Sequence, residues 1–150
     1  EPVDLAELAA AVAAAGEPRL AAAGVDLCLE LPAQPPRVAG DPFLLRQALG
    51  NLLDNALAFA PRGSMLVLAL AEEGGQAVLR VLDRGPGVPD YALERVFERF
   101  YSLPRPDGQP RSSGLGLPFV REVARLHGGR AWLGNRAGGG AEAGLALPRG

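Results

Sequence analysis

A long helix pattern between Asp41 and Phe59, with one apolar face and one polar stripe, constrains the fold of this chain more than any other feature. The helix is predicted to begin at Asp41-Pro42, because an acidic N-cap followed by proline at the first helical position is a strong start signal. Leucines and an alanine repeat along one face, while Gln47, Asn51 and Asn55 form a polar stripe at a spacing of four residues. Such a helix covers apolar structure with one face and leaves the polar stripe for another role.

The structure that this helix covers is predicted directly after it. Residues 64–71 and 76–82 are predicted to be strands, and Glu73-Gly74-Gly75 between them is typical of a hairpin. The first strand is almost wholly apolar, so we expect it to lie centrally in a sheet beneath helices. The expected fold is a two-layer α/β sandwich, with three main helices packed on a mixed five-stranded sheet.

The remaining predicted elements flank this unit on both sides. An Ala-rich helix is expected from Leu5 to Ala15, and its continuation past Gly16 and Pro18 to Ala23 is left open. A further helix and five short strands are predicted at residues 114–127 and at residues 3–5, 25–31, 37–39, 131–133 and 145–147. Residues 83–113 are irregular, apart from a short helix near 90–97, and an irregular stretch of this length is usually a functional lid or a disordered segment. We expect a lid at about residues 88–113 within one domain that spans residues 1–150.

Composition argues against several classes of function. The formal charge is -2 at pH 7 and Cys28 is the single cysteine, so the chain has no basic nucleic-acid footprint, disulfide framework or cysteine zinc site. No apolar run reaches the roughly 18 residues of a membrane span, and the first residues do not form a signal peptide. All 15 basic residues are arginines, so any phosphate clamp must be built from Arg. Because the chain starts without Met, we expect it to be part of a longer protein.

Asn51 and Asn55 are the first candidates for a binding role. They lie one helical turn apart, so their side chains point the same way. Asparagine is unfavourable inside an amphipathic helix, because its amide competes with the backbone. The alternative is an ordinary solvated polar face, but Leu52, Leu53 and Ala56 make the surroundings nearly apolar. A buried amide there needs a partner, such as a hydrated Mg²⁺ that takes oxygen ligands and keeps several waters.

Two glycine-rich turns supply further candidates. The first, Asp83–Gly87, follows a strand, where a carboxylate can accept from an exocyclic amine and glycines let the backbone approach a flat ligand. The second, Ser112–Leu117, opens a helix whose free backbone N–H groups can hold phosphate. Each turn alone is equally consistent with plain chain reversal. The second turn matches neither the P-loop nor the dinucleotide-binding fingerprint.

The order and spacing of four motifs are far more specific than any one of them. They correspond in sequence to an N, a G1, an F and a G2 box, at Asn51–Ala56, Asp83–Gly87, Phe97–Tyr101 and Gly114–Leu117. The chain resembles the catalytic and ATP-binding domain of bacterial sensor histidine kinases, within the superfamily shared with gyrase, Hsp90 and MutL. The resemblance covers nearly the whole chain and implies the Bergerat-type ATP-binding fold. Residues 100–106 and 112–117 resemble one subgroup of these kinases in particular.

The resemblance implies roles for the residues of the first two boxes. Asn55 would coordinate Mg²⁺ that bridges the phosphates of ATP, and Asn51 would lie beside those phosphates. These two asparagines are the catalytic candidates. Asp83 would bind the adenine amino group, while Gly85 and Gly87 would act as hinges of the lid.

The last two boxes would hold the lid and the phosphates. Phe97 and Phe100 would anchor the lid to the domain body. The triphosphate would be wrapped at the start of the following helix by Gly114, Leu115, Gly116 and Leu117.

At two positions this chain departs from the family pattern and lacks a basic residue that would contact the phosphates. Many members carry a basic residue three positions after the Mg²⁺ asparagine, where this chain has Ala58. Many also carry Arg directly after the aromatic pair of the F box, where this chain has Ser102. A transferring phosphoryl group needs cationic stabilisation, so we expect other arginines to replace the missing ones. The candidates are Arg99, Arg105 and Arg111.

Asn51 also bears on the type of reaction. Members of the superfamily that hydrolyse ATP usually place Glu four residues before the Mg²⁺ asparagine, as a base for water. The amide of Asn51 cannot accept a proton at neutral pH, and Asp54 lies about 100° around the helix from Asn55. The sequence therefore favours phosphotransfer to a histidine. A serine-directed kinase of the anti-sigma-factor type, a non-kinase ATPase and a binder without turnover are the alternatives.

The resemblance also implies partners that this chain lacks. The phosphoacceptor histidine would belong to an upstream helical dimerisation domain, and a response regulator would be an indirect partner. His127 is expected to be structural, because its partial positive charge suits a helix C-terminus. Cys28 is expected to be a small strand residue and Trp132 a packing residue. We expect a monomer without nucleic-acid or direct membrane contacts, in the cytoplasmic portion of an inner-membrane sensor kinase.

Overall fold

The computed structural model describes residues 2–84, 116–136 and 139–149. Its helices are α1 (Leu5–Ala15), α2 (Glu17–Ala23), α3 (Pro42–Phe59) and α4 (Gly116–Leu126). Its strands are β1 (Pro2–Asp4), β2 (Asp26–Glu30), β3 (Arg37–Ala39), β4 (Met65–Glu73), β5 (Gln76–Leu82), β6 (Arg130–Asn135) and β7 (Ala141–Pro148).

The main sheet has five strands in the order β2-β4-β5-β7-β6. β2 runs parallel to β4, and the other neighbours are antiparallel, so the predicted mixed sheet is confirmed. The strand after the long helix, β4, lies inside the sheet with a neighbour on each side, as expected, and β5 occupies the middle position. β1 and β3 form a separate antiparallel pair.

One face of the sheet packs against the helices. Alternate residues of the strands point to that face, and the largest side chains that are fully buried in the core include Leu49, Leu52, Leu66, Leu68, Leu79 and Leu145. Leucine burial of this kind contributes roughly 1.5–3 kcal/mol for each side chain. Because α3 turns its leucine face to the sheet, its asparagine stripe is held to the side of that contact.

The helix predicted from Leu5 to Ala15 is confirmed as α1, and the residues from Glu17 to Ala23 do not continue it but form a separate helix, which meets α1 at Gly16. Pro18 lies in the first turn of α2. A proline there has no N–H to donate to the preceding turn, and its ring obstructs a continuous helix. Gly16 also packs closely on α3, since a Cβ atom at this position would lie 3.0 Å from Leu53 Cδ2.

The predicted start of α3 is confirmed. Asp41 is its N-cap, and the Asp41 Oδ1 atom accepts hydrogen bonds from the N–H groups of Phe43 (2.9 Å) and Leu44 (3.2 Å). The helix ends at Phe59, as the pattern indicates. The sequence around the long helix therefore encodes both of its ends locally.

The sheet face away from the helices carries a polar and aromatic cluster. The Trp132 ring covers Gly144 so closely that any Cβ atom there would clash with it. The Trp132 indole N–H donates to Glu142 Oε2 at 2.9 Å, and Arg80 contacts both Glu142 (3.3 Å) and Glu73 (2.7 Å). The prediction of a packing role for Trp132 is confirmed, on the face opposite the leucine core.

Candidate functional site

The asparagine stripe of α3 faces the start of α4. Asn51 and Asn55 are both half-buried, whereas Leu52 and Ala56, each one residue further along the helix, are buried in the core. The Asn51 Nδ2 atom lies 3.4 Å from the carbonyl oxygen of Gly116, the first residue of α4. Asn51 and Gly116, which are 65 positions apart in the chain, thus lie on the same wall of the candidate site. The half-buried amides keep the solvent access that a hydrated cation requires.

The other end of α4 is tied to the start of α3 by His127. The His127 Nε2 atom accepts a hydrogen bond from the N–H of Asp41 at 3.1 Å, and its Nδ1 atom lies 2.7 Å from the carbonyl oxygen of Val123. These contacts assign the proton to Nδ1, because Nε2 must be free to accept. The structural role predicted for His127 therefore rests on an accepted hydrogen bond and not on a positive charge at a helix end.

The carboxylate of Asp83 lies at the end of β5. It is 5% exposed, and among residues 2–84, 116–136 and 139–149 it is the one charged side chain that is buried. Its Oδ1 atom accepts from the N–H of Ala141 at 3.1 Å, and its own N–H donates to the carbonyl oxygen of Ala141 at 3.0 Å. A buried carboxylate is costly unless its oxygens are hydrogen-bonded. A buried, hydrogen-bonded carboxylate at the end of a strand is typical of a residue that binds a ligand.

A second layer of contacts behind Asp83 was missed by the sequence reasoning. Arg136 Nη1 donates to the carbonyl oxygen of Asp83 at 2.9 Å, and Gly140 packs directly against that same oxygen. The glycines at 138–140 predicted only a turn between strands. A signal was present in the run of glycines, because glycine allows close approach of two backbones, but nothing local identified Asp83 as the neighbour.

Asp54, which was not expected to act as a base, faces Arg19 of α2. Its carboxylate pairs with Arg19 of α2 at 2.9 Å, and both side chains are about half exposed. An open pocket of about 280 Å³ lies on this side of α3 and includes Asn51, but neither Asn55 nor Asp83. The pocket therefore adjoins the predicted nucleotide site without coinciding with it.

The predicted site residues divide into two groups. Asn51, Asn55, Asp83, Gly116 and Leu117 lie in the part of the chain that the structure describes, and Leu117 packs against the hydrophobic core. The whole of the predicted lid lies outside the described residues, as do the other site residues: Gly85, Gly87, Phe97, Arg99, Phe100, Arg105, Arg111, Gly114 and Leu115.

Two further observations hold for the described residues. None of their helices combines the length and the apolar character that a bilayer-spanning helix needs. No three His, Cys, Asp or Glu side chains among them converge as possible metal ligands.

Comparison with known proteins identifies this arrangement. Residues 40–150 match the family described as histidine kinase-, DNA gyrase B- and HSP90-like ATPase. The sensor protein CreC of Escherichia coli is 56% identical over 112 residues, which are 75% of this chain and 23% of CreC. CreC belongs to the subgroup that residues 100–106 and 112–117 resemble. The sensor histidine kinase GtrS of Pseudomonas aeruginosa is 46% identical over 112 residues, which are 73% of this chain and 22% of GtrS.

Solved structures agree with these relatives over the full fold. The mycobacterial sensor histidine kinase MprB is 30% identical with a TM-score of 0.85, and the match covers 99% of this chain and 97% of that one. The ATP binding domain of PrrB from Mycobacterium tuberculosis is 30% identical with a TM-score of 0.79, and the match covers 100% and 97% of the two chains. The chain spans 23% of the length of CreC and 22% of GtrS.

Proposed function

Because this chain belongs to the family of histidine kinase-, DNA gyrase B- and HSP90-like ATPases, as the catalytic domain of a bacterial sensor histidine kinase, we propose that it binds Mg-ATP and presents the γ-phosphoryl group to a histidine on a separate helical domain. Residues 1–150 act as one ATP-binding domain, with a lid at about residues 88–113. The phosphoacceptor domain and a response regulator are the proposed partners.

The observation that carries this proposal is the contact between Asn51 and Gly116. It joins the polar stripe of α3 to the glycine-rich start of α4. A helix start presents unpaired backbone N–H groups and the positive end of the helix dipole, both of which favour phosphate. Phosphates at this position would therefore lie beside the asparagine amides.

Asp83 is the proposed adenine-binding residue. An ionised carboxylate only accepts hydrogen bonds, so it selects a base that carries an exocyclic amine. Burial strengthens this selection, because a buried acceptor is poorly compensated when the amine is missing. Asp83 lies at one end of the sheet that α3 covers, so one ligand would contact both the strand end and the helix.

Asn55 is the proposed Mg²⁺ ligand. Its amide oxygen is of the type that Mg²⁺ takes, and its half-buried position leaves room for the waters that this ion retains. When bound, the ion would neutralise charge on the phosphates. Arg99, Arg105 and Arg111 are the proposed cationic contacts that replace those lost at Ala58 and Ser102.

Asn51 is the proposed reason why transfer is favoured over hydrolysis. An amide cannot take a proton from an attacking water at neutral pH, and Asp54 is paired with Arg19 on the side of α2. A phosphoryl group held without a base for water is available to an incoming histidine. We place this domain on the cytoplasmic side of a membrane-bound sensor kinase.

Nucleotide binding tests the site directly. The affinity for a non-hydrolysable ATP analogue should fall roughly 10- to 150-fold in Asp83→Asn, since a hydrogen bond to a charged group is worth about 1.5–3 kcal/mol. In Asn55→Ala, affinity should lose its dependence on Mg²⁺, measured as the difference between binding with Mg²⁺ and with EDTA. Gln47→Ala is the matched control, because Gln47 is an exposed amide on the same helix, two turns from Asn55. Unchanged affinity in Asp83→Asn, or retained Mg²⁺ dependence in Asn55→Ala, would contradict the assignment.

Phosphotransfer requires a second experiment. The chain extended by its upstream helical segment should form acid-labile phosphohistidine when it is incubated with ATP. The same extended chain with Asn55→Ala should not. Acid-stable phosphoserine, or release of free phosphate without protein labelling, would instead support the serine-directed kinase or the ATPase.

A further inference from the structure

We propose that Arg136, Gly140 and Ala141, here called the Asp83 clamp, are positioning residues that orient the carboxylate of Asp83 for adenine. This inference rests on the proposed function, because it assumes that Asp83 recognises the base. It adds to the site Arg136 and Gly140 from the β6–β7 connection, and Ala141, the first residue of β7. None of them belongs to the four motifs that identify the nucleotide-binding residues.

The clamp holds Asp83 by three of its polar atoms. The N–H of Asp83 donates to Ala141, its backbone oxygen accepts from Arg136 at 2.9 Å, and its Oδ1 atom accepts from the N–H of Ala141 at 3.1 Å. Both backbone polar groups of Asp83 and its Oδ1 atom are thus hydrogen-bonded to the clamp. The position of the Asp83 carboxylate therefore depends on β7 and the turn before it, and not on β5 alone.

Gly140 provides the close approach that this arrangement needs. It is buried with φ +91°, and a Cβ atom at this position would lie 2.0 Å from the Asp83 carbonyl oxygen. Any side chain would therefore push the β5 end away from β7. Arg136 and Gly140 are also joined to each other, since the Arg136 N–H donates to the Gly140 carbonyl oxygen at 2.9 Å. The residues of the clamp are thus connected to each other as well as to Asp83, so a displacement of the clamp would also displace Asp83.

The clamp lies at the point where the chain leaves β5, next to Asp83 and Arg84. Arg84 and the start of the segment that follows lie directly after Asp83 in the chain, and a Cβ atom at Gly140 would be 3.0 Å from Arg84 Cα. The same contacts therefore define where the chain leaves the sheet. A carboxylate that is already oriented loses little freedom on binding, which improves affinity without any new contact to the ligand.

Two neighbouring glycines, Gly139 and Gly140, allow the positioning role of the clamp to be tested separately from its effect on stability. Gly139 has φ +109° and Gly140 has φ +91°, so alanine is strained at both positions. Among the residues that the structure describes, a Cβ atom at Gly139 meets nothing within 4 Å, whereas at Gly140 it meets Asp83. Gly139→Ala is therefore a matched control that introduces similar backbone strain and leaves the Asp83 clamp in place.

The readout is the preference for ATP over purine riboside triphosphate, which lacks only the 6-amino group. We expect wild type to prefer ATP roughly 10- to 150-fold. Gly140→Ala should reduce this preference to about twofold or less, and Gly139→Ala should retain it. Arg136→Met should reduce the preference about fivefold, the equivalent of one hydrogen bond, with partial rescue in Arg136→Lys. Arg149→Met is its control, because Arg149 also donates one hydrogen bond, to Glu72 at 2.8 Å.

The outcomes separate the inference from the proposed function. If Asp83→Asn abolishes the preference while Gly140→Ala and Arg136→Met retain it, the clamp proposal is overturned and the adenine assignment stands. If wild type and Asp83→Asn both bind the two nucleotides equally, both proposals fail. A loss of affinity for both nucleotides by the same factor would reveal a purely structural role and overturn the inference. If Gly140→Ala does not fold, the Arg136→Met and Arg149→Met pair decides.

Discussion

The two halves of the candidate site are built in different ways. Asp83 is buried, and its backbone and carboxylate are held by contacts of 2.9–3.1 Å. Asn51 and Asn55 are half-buried, and the contact of Asn51 with α4 is long, at 3.4 Å. The strand half is fixed by hydrogen bonds within the protein, whereas the helix half presents amides with fewer constraints.

This difference matches the chemistry that each half is proposed to perform. A base is flat and rigid, so recognition by one fixed acceptor is efficient and selective. The geometry of the triphosphate changes during phosphoryl transfer, and the cation bound to it keeps several waters. Side chains with solvent access therefore suit this part of the ligand better. The comparison therefore predicts that substitutions in the two halves have different consequences, which four measurements can test.

The largest effect is expected for the core beneath the helix half. Leu52→Ala should lower the free energy of unfolding by about 2–5 kcal/mol, because Leu52 is fully buried and its removal leaves a cavity. Urea denaturation measures this change. Leu126→Ala is the control, since Leu126 is 59% exposed and should change stability by no more than about 0.5 kcal/mol. A small effect at Leu52 would mean that the asparagine stripe is not held in place by the leucine core.

The next effect compares the two halves directly in the absence of nucleotide. Asp83→Ala should lower the free energy of unfolding by about 1–3 kcal/mol, since the N–H of Ala141 loses its carboxylate partner. Asn51→Ala should cost less than about 0.5 kcal/mol, because its contact is long and its surroundings are half exposed. Chemical denaturation of the two variants tests this. Equal losses would remove the distinction between an oriented half and an adjustable half.

A smaller effect is expected at the brace between α3 and α4. His127→Leu should lower the free energy of unfolding by about 1 kcal/mol, because the Asp41 N–H loses its acceptor. His127→Gln, which keeps a side-chain acceptor, should lose less. The affinity for an ATP analogue should change by no more than about twofold, since this contact lies at the end of α3 away from the asparagines. An affinity loss as large as that in Asn55→Ala would show that the helix half depends on this brace.

The smallest effect is expected on the open face of the sheet, away from both halves. The Arg80 guanidinium beside Glu73 lowers the pKa of that carboxyl below its usual value near 4.5. A lowered pKa means that the contribution to stability is present above pH 4.5 and is lost as the pH falls through the lower, folded-state value. Half of the Glu73 side chain is exposed, so the contribution should be less than about 1 kcal/mol.

This pH dependence can be measured by difference. The free energy of unfolding of wild type minus that of Glu73→Gln should be positive at pH 7 and should shrink as the pH falls below 4.5. Nucleotide affinity at pH 7 should be the same in both proteins. A difference that grows on acidification would contradict the sign of the pKa change.

The helix half of the site was accessible from sequence because its signals are local. The spacing of Asn51 and Asn55 and the N-cap at Asp41 lie within one helix. The strand half was accessible only at Asp83. Its partners Arg136 and Ala141 lie 53 and 58 positions away and reach it through the pairing of β5 with β7.

Sequence by itself determined the α/β class, the mixed sheet, both ends of α3 and the two asparagines on one helix face, because periodicity and capping depend on residues a few positions apart. Tertiary structure alone decided that β5 and not β4 is the central strand, that α1 and α2 meet at Gly16, and that Arg136 and Gly140 surround Asp83. Strand order and backbone close approach depend on residues that are distant in the chain. No local pattern records them until the sheet has formed.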